Sequence, residues 1–318
     1  MTLLVVQTRL FNVSPSALLR LEQRFNGLSA SIARADSLTP EQMASCEIIL
    51  GTPPPELLRH AASLRWLHTT NAGAEPYNDL AIYPNPGIIL TNASGVYGVP
   101  VAEHGLGLFL ALSRQFPYYA RQARAREWLR RDDVKEMCGA TAAIFGLGDL
   151  GQNLARRVKA VGCKVIGVRR NILQMPPEAD ELYAPHQKLA VLARADYVAS
   201  CVPQTPQTLR MFDAEAFEAM KPGAVFINLG RGSAVDHAAL CAAVKSGRLF
   251  GAGLDVCDPE PLDADSELWD LENVLITAHS SAASEHTDRR GLELFCDLLE
   301  RYRAGRRLYN VVDFFRGY

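Results

Sequence analysis

The sequence has no strong excess of charge of either sign and few of the cysteine patterns that mark disulfide-rich or zinc-binding proteins. Its 318 residues include 33 basic and 35 acidic side chains. This balance gives no electrostatic reason to expect nucleic acid as a partner. The seven cysteines form no C-x-x-C pair and are odd in number, which argues against a disulfide framework and a zinc site. We therefore expect no bound metal, and a reducing cytoplasm fits this cysteine usage best.

Long apolar runs are also missing from the chain. The N-terminal "MTLLVV" is too short for the core of a signal peptide, and "HGLGLFLALSR" is bounded by His104 and Arg114 and too short to span a bilayer. The sequence therefore predicts neither export nor membrane insertion. A chain of 318 residues is long enough for about two domains, each with its own core.

Short apolar runs alternate with helix-start signals along most of the chain. Ser14-Pro15 and Thr39-Pro40 each combine an N-cap residue with proline at the first helical position. In the first hundred residues, "PPELLRHAA" predicts a further helix, and the predicted strands are "LLVVQ", "EIIL" and "LRWLHTT". From Thr141 the predicted strands are "TAAIFG", "KVIGV", "DYVASCV", "AVFINLG", "FGAGLDV" and "NVLIT". These runs lack polar alternation, as strands covered on both faces do. The pattern predicts an α/β protein with two doubly wound parallel-sheet domains, of Rossmann or flavodoxin type, and a cleft between them.

The last helix candidate, "EHTDRRGLELFCDLLERYRAG", follows the end of the second predicted sheet. We expect it to return to the first domain and make that domain discontinuous. The predicted division is a flavodoxin-like substrate domain of residues 1–98 plus 284–318 and a dinucleotide-binding Rossmann domain of residues 99–283. Between the sheets, "VPVAEHGLGLFLALSRQ" predicts a long apolar helix and "YYARQARAREWLRRDDVKE" a charged one, interpreted as a solvated face or subunit rim.

The segment "IFGLGDLGQNLARRVKAVGCKVIGVRR" has the pattern of a dinucleotide-binding βαβ unit. Gly146, Gly148 and Gly151 form G-x-G-x-x-G directly after a predicted strand and at the head of a predicted helix. Such glycines permit a tight turn, close approach of the backbone to pyrophosphate, and close packing of helix on strand. Asp149 and Leu150 lie inside this turn, where pyrophosphate would repel a carboxylate that does not point outward. The alternative, a glycine-rich turn without a ligand, is disfavoured by the complete strand–helix–strand context.

An arginine follows the second strand of this unit where a carboxylate is usual. Position 169 lies 18 residues beyond Gly151, about where an acidic residue would accept hydrogen bonds from the ribose of NAD. The guanidinium of Arg169 cannot accept such bonds, but it can bind the 2′-phosphate of NADP, and Arg170 can assist. The sequence therefore predicts NADP(H) in preference to NAD(H). The alternative is two solvent-facing arginines at a strand end.

Three further segments each follow the end of a predicted strand, where ligands bind in open α/β sheets. They are "NLGRGSAVD" around Arg231, "GLDVCDPEPL" around Glu260 and "LITAHSSA" around His279. With "TNAGAEPY", "AEHGLGLFLALSR", "VPQTPQT" and the closing "NVVD", they stand in the order typical of the D-isomer-specific 2-hydroxyacid dehydrogenases. The chain closely resembles this family over nearly its whole length, and most of all its NADP-dependent glyoxylate and hydroxypyruvate reductases.

The resemblance implies a catalytic role for three side chains. Arg231 would bind the substrate carboxylate and polarise the carbonyl. His279 would be the general acid in reduction and the base in oxidation, since histidine ordinarily titrates near neutrality. Glu260 would orient the imidazole and favour its charged form. A lone histidine at a strand end is more often structural, but the joint occurrence of all three in family order disfavours that alternative.

The resemblance also implies further contacts with ligands. The backbone amides of Ala72, Gly73 and Ala74 should help to bind the substrate carboxylate. Asp255 should bond the carboxamide of the nicotinamide, and Ala278 stands where the family usually has proline. Beyond the glycine-rich turn and the two arginines, the expected cofactor contacts are Val202, Pro203, Thr208, Leu229, Gly230 and Asp255.

The implied activity is transfer of a hydride from NADPH to a 2-oxo acid, such as glyoxylate, hydroxypyruvate or a larger one, to give the D-2-hydroxy acid. The family's corepressor branch leaves a second function open, a non-catalytic NAD(P)-sensing binding module on the same fold. The expected partners are small molecules and a second copy of the chain. In that homodimer, residues 101–113 and the charged segment after them would form the interface arm.

Overall fold

The computed structural model describes residues 1–315 of the chain, and these form two compact units. Unit 1 contains Met1–Tyr97 together with the chain from Ala283 onward, and unit 2 is Gly98–Ala282. The two boundaries predicted from the sequence, 98/99 and 283/284, each lie one residue C-terminal to the boundary in the structure. Each unit is α/β and built on a parallel sheet, so the predicted fold class of two parallel-sheet α/β domains is confirmed.

Unit 1 is built on a sheet that has five strands in the described part of the chain, in the order β2-β1-β3-β4-β5. The strands are β1 (Thr2–Gln7), β2 (Ser29–Arg34), β3 (Ile48–Gly51), β4 (Trp66–His68) and β5 (Ile89–Thr91). Helices α1 (Pro15–Arg24) and α2 (Pro40–Ala44) begin where the sequence predicts. Ser14 accepts a hydrogen bond from the N–H of Ala17, and Thr39 forms a reciprocal capping box with Gln42.

Two parts of unit 1 differ from the prediction. The segment "PPELLRHAA" forms a 3-10 helix over Pro55–His60 instead of an α-helix. Strands β2 and β5 were not predicted, because neither is a long apolar run. Strand β2 lies at the edge of the sheet and has only one buried residue, so its polar sequence "SASIAR" is compatible with pairing along β1.

Unit 2 is built on a larger sheet, with seven strands among the described residues, in the order β12-β11-β10-β9-β6-β7-β8. The strands are β6 (Thr141–Phe145), β7 (Lys164–Val168), β8 (Glu181–Tyr183), β9 (Tyr197–Ser200), β10 (Ala224–Asn228), β11 (Leu249–Leu254) and β12 (Val274–Ile276). Strands β9 and β10 are buried at every residue, as expected for strands covered on both faces. The order of strands reverses between β6 and β9, and such a reversal marks the ligand-binding edge of an open α/β sheet.

The helices of unit 2 connect and cover these strands. They are α3 (Gly98–Ser113), α4 (Phe116–Ala125), α5 (Asp149–Ala160), α6 (Lys188–Leu192), α7 (Ala214–Ala219) and α8 (His237–Lys245). The charged helix predicted after α3 ends at Ala125, because Arg126 adopts a left-handed conformation with φ of 59°. Beyond Ala125, Arg131 forms an ion pair with Asp133. Side chains two positions apart do not face each other on a helix, so this pair fits a segment that is not helical.

The last helix, α9 (Thr287–Arg303), belongs to unit 1. Its Phe295 stacks on Trp66 of β4 with ring centroids 5.3 Å apart, and both side chains are fully buried. Helix α9 therefore completes the core of the first sheet, although about 200 residues separate it in sequence from that sheet. Among residues 1–315, no helix is both long enough and apolar enough to cross a membrane.

Candidate active site

The glycine-rich turn joins β6 to α5 at the reversal point of the sheet. Gly146 has φ of 91°, a left-handed conformation that glycine adopts without strain. A Cβ atom on Gly151 would overlap the carbonyl oxygen of Gly146, so helix and turn approach each other closely. A Cβ atom on Gly148 would meet no atom of residues 1–315 within 4 Å, so space is open beside this peptide. With the unpaired first-turn amides of α5, this open backbone suits a pyrophosphate group.

The side chain of Asp149 is directed toward the start of α3. Its Oδ1 accepts a hydrogen bond of 3.0 Å from Nδ2 of Asn153, and a Cβ atom on Gly98 would overlap its carboxylate. The carboxylate therefore lies against the first residue of α3, where the helix dipole favours negative charge. This orientation resolves the difficulty of a carboxylate within a phosphate-binding turn. Leu150, the next residue, is half-buried.

Arg169 follows β7 directly, as predicted. Its backbone N–H donates to the carbonyl oxygen of Tyr183 at 3.1 Å, which attaches it to β8 at the edge of the sheet. Within the part of the chain that the structure describes, the guanidinium of Arg169 has no hydrogen bond, ion pair or ring contact. Arg170 is exposed beside it. A half-buried guanidinium without an acidic partner can bind a phosphate group.

The other predicted cofactor residues lie at the same edge of the sheet, after β9 and β10. The hydroxyl of Thr208 donates to the carbonyl oxygen of Pro203 at 2.6 Å, which closes a turn after Val202. A Cβ atom on Gly230 would overlap the backbone of Val202, so these two strand ends touch. The side chain of Leu229 is buried against Gly105 of α3, which gives it a packing role in the protein. Its predicted contact with the nicotinamide stays a prediction.

His279 and Glu260 form a hydrogen-bonded pair in unit 2. Nδ1 of His279 lies 2.8 Å from Oε2 of Glu260, and Oε1 of that carboxylate accepts a bond of 3.0 Å from the N–H of Cys257. An ionised carboxylate can only accept hydrogen bonds, so Nδ1 carries the proton that it donates. The second ring nitrogen, Nε2, is then the one available for exchange of a proton with a substrate. The imidazole is 52% exposed, so a substrate can reach it.

The backbone at His279 is held in an unusual conformation. Its φ is 47°, in the left-handed region, and its N–H donates to the carbonyl oxygen of Asp255 at 2.8 Å. The buried carboxylate of Asp255 accepts bonds from the hydroxyl of Thr277 at 2.8 Å and the N–H groups of Ser280 and Ser281 at 3.0 and 3.1 Å. The hydroxyl of Ser281 bonds the same carboxylate. Asp255 therefore anchors both sides of the histidine, and its predicted bond to nicotinamide stays a prediction.

Arg231 lies in the turn that follows β10. The buried amide of Asn228 holds this turn, since its Nδ2 donates to the carbonyl oxygen of Arg231 at 2.9 Å and its Oδ1 accepts from the N–H of Gly230 at 3.2 Å. The guanidinium of Arg231 donates to the carbonyl oxygen of Gly230 at 2.9 Å. A Cβ atom on Gly232 would overlap the backbone of Cys257. The structure thereby brings the turn of Arg231 against the segment that leads to Glu260.

Residues 70–74, which include the predicted substrate amides, form an irregular loop after β4 in unit 1. The carbonyl oxygen of Asn71 accepts a bond of 2.9 Å from the N–H of Ala93, and that of Ala72 accepts one of 2.9 Å from Nδ2 of Asn92. Within residues 1–315, the N–H groups of Ala72, Gly73 and Ala74 make no hydrogen bond. Three neighbouring free N–H groups are suited to an anion such as a carboxylate.

Several residues that shape the site were missed by sequence reasoning. Asn228, Thr277, Ser281 and Asn92 hold the backbone around the predicted groups, and His104 of α3 bonds the hydroxyl of Thr277 at 2.9 Å. The available signal was polarity at a strand end, because Asn228 and Asn92 each follow an apolar run and are buried. Among residues 1–315, no group of three histidine, cysteine or acidic side chains is placed to hold a metal ion.

A sequence profile described as "D-isomer specific 2-hydroxyacid dehydrogenase, NAD binding domain" matches residues 106–281. The D-3-phosphoglycerate dehydrogenase of Mycobacterium tuberculosis is 33% identical over 270 residues, which are 84% of this chain and 49% of that protein. The chain thus spans about half the length of this curated relative.

Two crystal structures resemble the chain over almost its entire length. One is a D-isomer specific 2-hydroxyacid dehydrogenase family protein from Aeromonas salmonicida, with a TM-score of 0.85, 32% identity, and coverage of 98% of this chain and 99% of that one. The other is an NADPH-dependent glyoxylate/hydroxypyruvate reductase from Sinorhizobium meliloti, in complex with NADP and sulfate. Its TM-score is 0.83, its identity 27%, and the coverage 100% of both chains.

Proposed function

The chain belongs to the D-isomer specific 2-hydroxyacid dehydrogenase family, and from this premise we propose that it reduces a small 2-oxo acid to the D-2-hydroxy acid with NADPH. Glyoxylate and hydroxypyruvate are the first candidates. The observation that carries the proposal is the pair of His279 and Glu260, in which the carboxylate binds Nδ1 and leaves Nε2 of an exposed imidazole for the substrate. A surface histidine without such a partner would have neither a defined tautomer nor a defined orientation.

His279, Glu260 and Arg231 each have a separate role in this reduction. Nε2 of His279 donates a proton to the carbonyl oxygen of the substrate, and Glu260 stabilises the imidazolium from which that proton comes. Arg231 binds the substrate carboxylate with a guanidinium that suits two oxygens. The free N–H groups of residues 72–74 offer donors to a substrate carboxylate. NADPH supplies the hydride when it is bound.

The preference for NADPH is supported by charge at the end of β7. Arg169 has no acidic partner in the described chain and is half-buried, so a 2′-phosphate would gain a charge-assisted contact there. The ribose of NAD would find no carboxylate at this position. The NADP complex of the reductase from Sinorhizobium meliloti agrees with this choice of cofactor.

A homodimer is also part of the proposal. Trp128 is fully exposed and Leu129 half-exposed in the segment after α4, and Phe116 and Tyr119 are exposed on the helix itself. Apolar side chains of this size in one segment are typical of a surface that another protein covers. Light scattering at micromolar concentration should therefore report twice the mass of one chain.

The function is tested by mixing the purified protein with NADPH and a panel of 2-oxo acids, and following the loss of absorbance of the reduced nicotinamide. We expect turnover with NADPH, slower turnover with NADH, and a loss of about 10²–10⁴-fold in kcat for His279→Ala. The matched control is His286→Ala, because His286 is 50% exposed and also pairs with a glutamate, Glu285. This control should keep wild-type activity.

Three results would contradict parts of the proposal. If His279→Ala retained activity, the assignment of the proton donor would be wrong. If the wild-type protein bound NADPH but reduced no 2-oxo acid in the panel, the NAD(P)-sensing binding module would be the better description. A preference for NADH would remove the role given to Arg169.

A further inference from the structure

We infer that Asn92 is a positioning residue that aims the N–H group of Gly73 at the carboxylate of the substrate. The inference rests on the proposed function, because it concerns how the loop of residues 70–74 presents its free N–H groups to a 2-oxo acid. Asn92 is itself only 6% exposed. Both polar atoms of its side chain are hydrogen-bonded to backbone groups, so it does not bind a ligand directly.

The geometry of the peptide group links each carbonyl to the N–H of the next residue. A trans peptide is planar, and its C=O and N–H point in opposite directions. The carbonyl of Ala72 and the N–H of Gly73 belong to one such group. When Nδ2 of Asn92 holds the carbonyl oxygen of Ala72 at 2.9 Å, it also determines where the N–H of Gly73 points.

The neighbouring peptide groups are held in the same way. The N–H of Ala93 binds the carbonyl oxygen of Asn71 at 2.9 Å, so the N–H of Ala72 also points away from residues 92–97. The phenol of Tyr97 donates to the carbonyl oxygen of Thr70. Burial raises the pKa of Tyr97 to about 12, so this donor keeps its proton at any ordinary pH. The carbonyl oxygens of Thr70, Asn71 and Ala72 are thus all held, and this fixes the directions of the free N–H groups of Ala72 and Gly73.

Asn92 is in turn held by hydrogen bonds to Ser94 and Asn310. Its Oδ1 accepts a bond of 3.1 Å from the N–H of Ser94, and its own N–H donates to the carbonyl oxygen of Asn310 at 3.1 Å. Nδ2 of Asn310 donates to the carbonyl oxygen of Ser94 at 2.7 Å. A side chain with both of its polar atoms and its backbone engaged has one orientation, which is the requirement for orienting another group.

The chain offers a matched control for removal of this amide. Asn85, also in unit 1, has the same bonding pattern: its Nδ2 donates to the carbonyl oxygen of Leu64 at 3.3 Å, and its Oδ1 accepts from the N–H of Gly87 at 2.9 Å. Neither partner belongs to the loop of residues 70–74. Asn85→Ala therefore removes an equivalent set of hydrogen bonds without affecting the N–H groups of residues 72–74.

The experiment compares Asn92→Ala, Asn92→Asp and Asn85→Ala with the wild type. With saturating NADPH, both variants at Asn92 should raise KM for the 2-oxo acid by about tenfold and leave kcat within about twofold. The reason is that the contact of the Gly73 N–H with the carboxylate is weakened equally in the ground state and in the transition state. Asn85→Ala should keep the wild-type KM. Wild-type KM in the variants at Asn92, or an equal rise in Asn85→Ala, would overturn the inference.

A second measurement does not depend on turnover. Oxamate, an isostere of a 2-oxo acid, is added to ¹⁵N-labelled protein without cofactor, and the amide signal of Gly73 is followed by NMR. The signal should move in the wild type and in Asn85→Ala and stay in place in Asn92→Asp, which keeps the bond from Ser94 but has no N–H for Ala72. An equal shift in Asn92→Asp would overturn the inference, even if the wild type reduced no 2-oxo acid and the proposed function failed. If Asn92→Ala does not fold, Asn92→Asp provides the comparison in both measurements.

Discussion

At the scale of single residues, the groups that hold the backbone are as important to the site as those that would react. The carboxylate of Asp255 receives hydrogen bonds from Thr277, Ser280 and Ser281, on both sides of His279. A buried carboxylate needs several donors to offset its lost hydration. That need ties the loop to the end of β11 and keeps His279 in a left-handed conformation, which is rare for a residue with a side chain.

Loss of the Arg169 side chain should weaken the binding of NADPH. Replacing it by alanine removes the cation proposed to bind the 2′-phosphate, so KM for NADPH should rise about ten- to hundredfold, the loss of one charge-assisted contact. KM for NADH, which has no such phosphate, should hardly change. Steady-state kinetics with both cofactors measure this, and Arg20→Ala is the control because Arg20 is an exposed arginine on α1. Equal rises in KM for NADPH and NADH would show that Arg169 does not bind the 2′-phosphate.

At the scale of elements, the unit of β6, turn and α5 shows why two glycines of one motif are needed for different reasons. At Gly151 a side chain would collide with the turn, whereas at Gly148 it would enter space that no protein atom of residues 1–315 occupies. The first is a requirement of packing, and the second a requirement of the proposed ligand. A motif read as one pattern therefore contains two separable physical constraints.

These constraints predict opposite outcomes for two alanine variants. Gly151→Ala should lower the melting temperature by several degrees, because overpacking of this kind costs about 1–3 kcal/mol. Gly148→Ala should melt like the wild type and yet bind NADPH at least about tenfold more weakly, since its Cβ atom occupies the path of the pyrophosphate. Calorimetry and fluorescence titration with NADPH measure the two effects. Wild-type affinity in Gly148→Ala would mean that the cofactor does not approach this peptide.

At the scale of the whole molecule, a buried histidine links the stability of unit 1 to pH. His68 ends β4 with no exposed surface, next to Trp66 and Phe295, and its Nδ1 is bonded to the hydroxyl of Thr91 at 2.8 Å. Its other ring nitrogen has no partner within residues 1–315. Burial lowers the pKa of His68 to about 3 from an ordinary value of 6.5, because the charged form would be deprived of water.

The sign of the effect follows from which state binds the proton. Below pH 6.5 the unfolded chain binds a proton at His68 that folded unit 1 does not bind until about pH 3. The contribution of His68 to the free energy of unfolding is therefore largest above pH 6.5 and falls by about 1.4 kcal/mol per pH unit as the pH decreases toward 3. Between pH 6.5 and 5, the wild type should lose about 2 kcal/mol more than His68→Gln, which has no such group.

Urea unfolding followed by the fluorescence of Trp66 measures this difference, since Trp66 is buried in unit 1 while Trp128 and Trp269 are exposed. His286→Gln, which replaces a half-exposed histidine of the same unit, should remain as sensitive to acid as the wild type. Equal losses of stability in the wild type and His68→Gln would show that His68 is protonated in the folded protein.

Features that depend on neighbouring residues could be predicted from the amino-acid order. The caps at Ser14 and Thr39, the buried strands β9 and β10, and the glycine-rich turn are local, because each depends on a few consecutive side chains and on backbone conformations that only some residues adopt. Elements with weak local patterns were missed, such as the polar edge strand β2, or given the wrong extent, such as the helix that stops at Ala125.

How distant segments hold one another follows only from the folded chain. Nothing near Ala72 in the sequence shows that Asn92 binds its carbonyl oxygen, and nothing near His279 shows that the carboxylate of Asp255 binds the groups on either side of it. Such bonds join residues 20 or more positions apart, and they form only because the order of strands places those loops at one edge of a sheet. Their partners depend on strand order, which no local pattern contains.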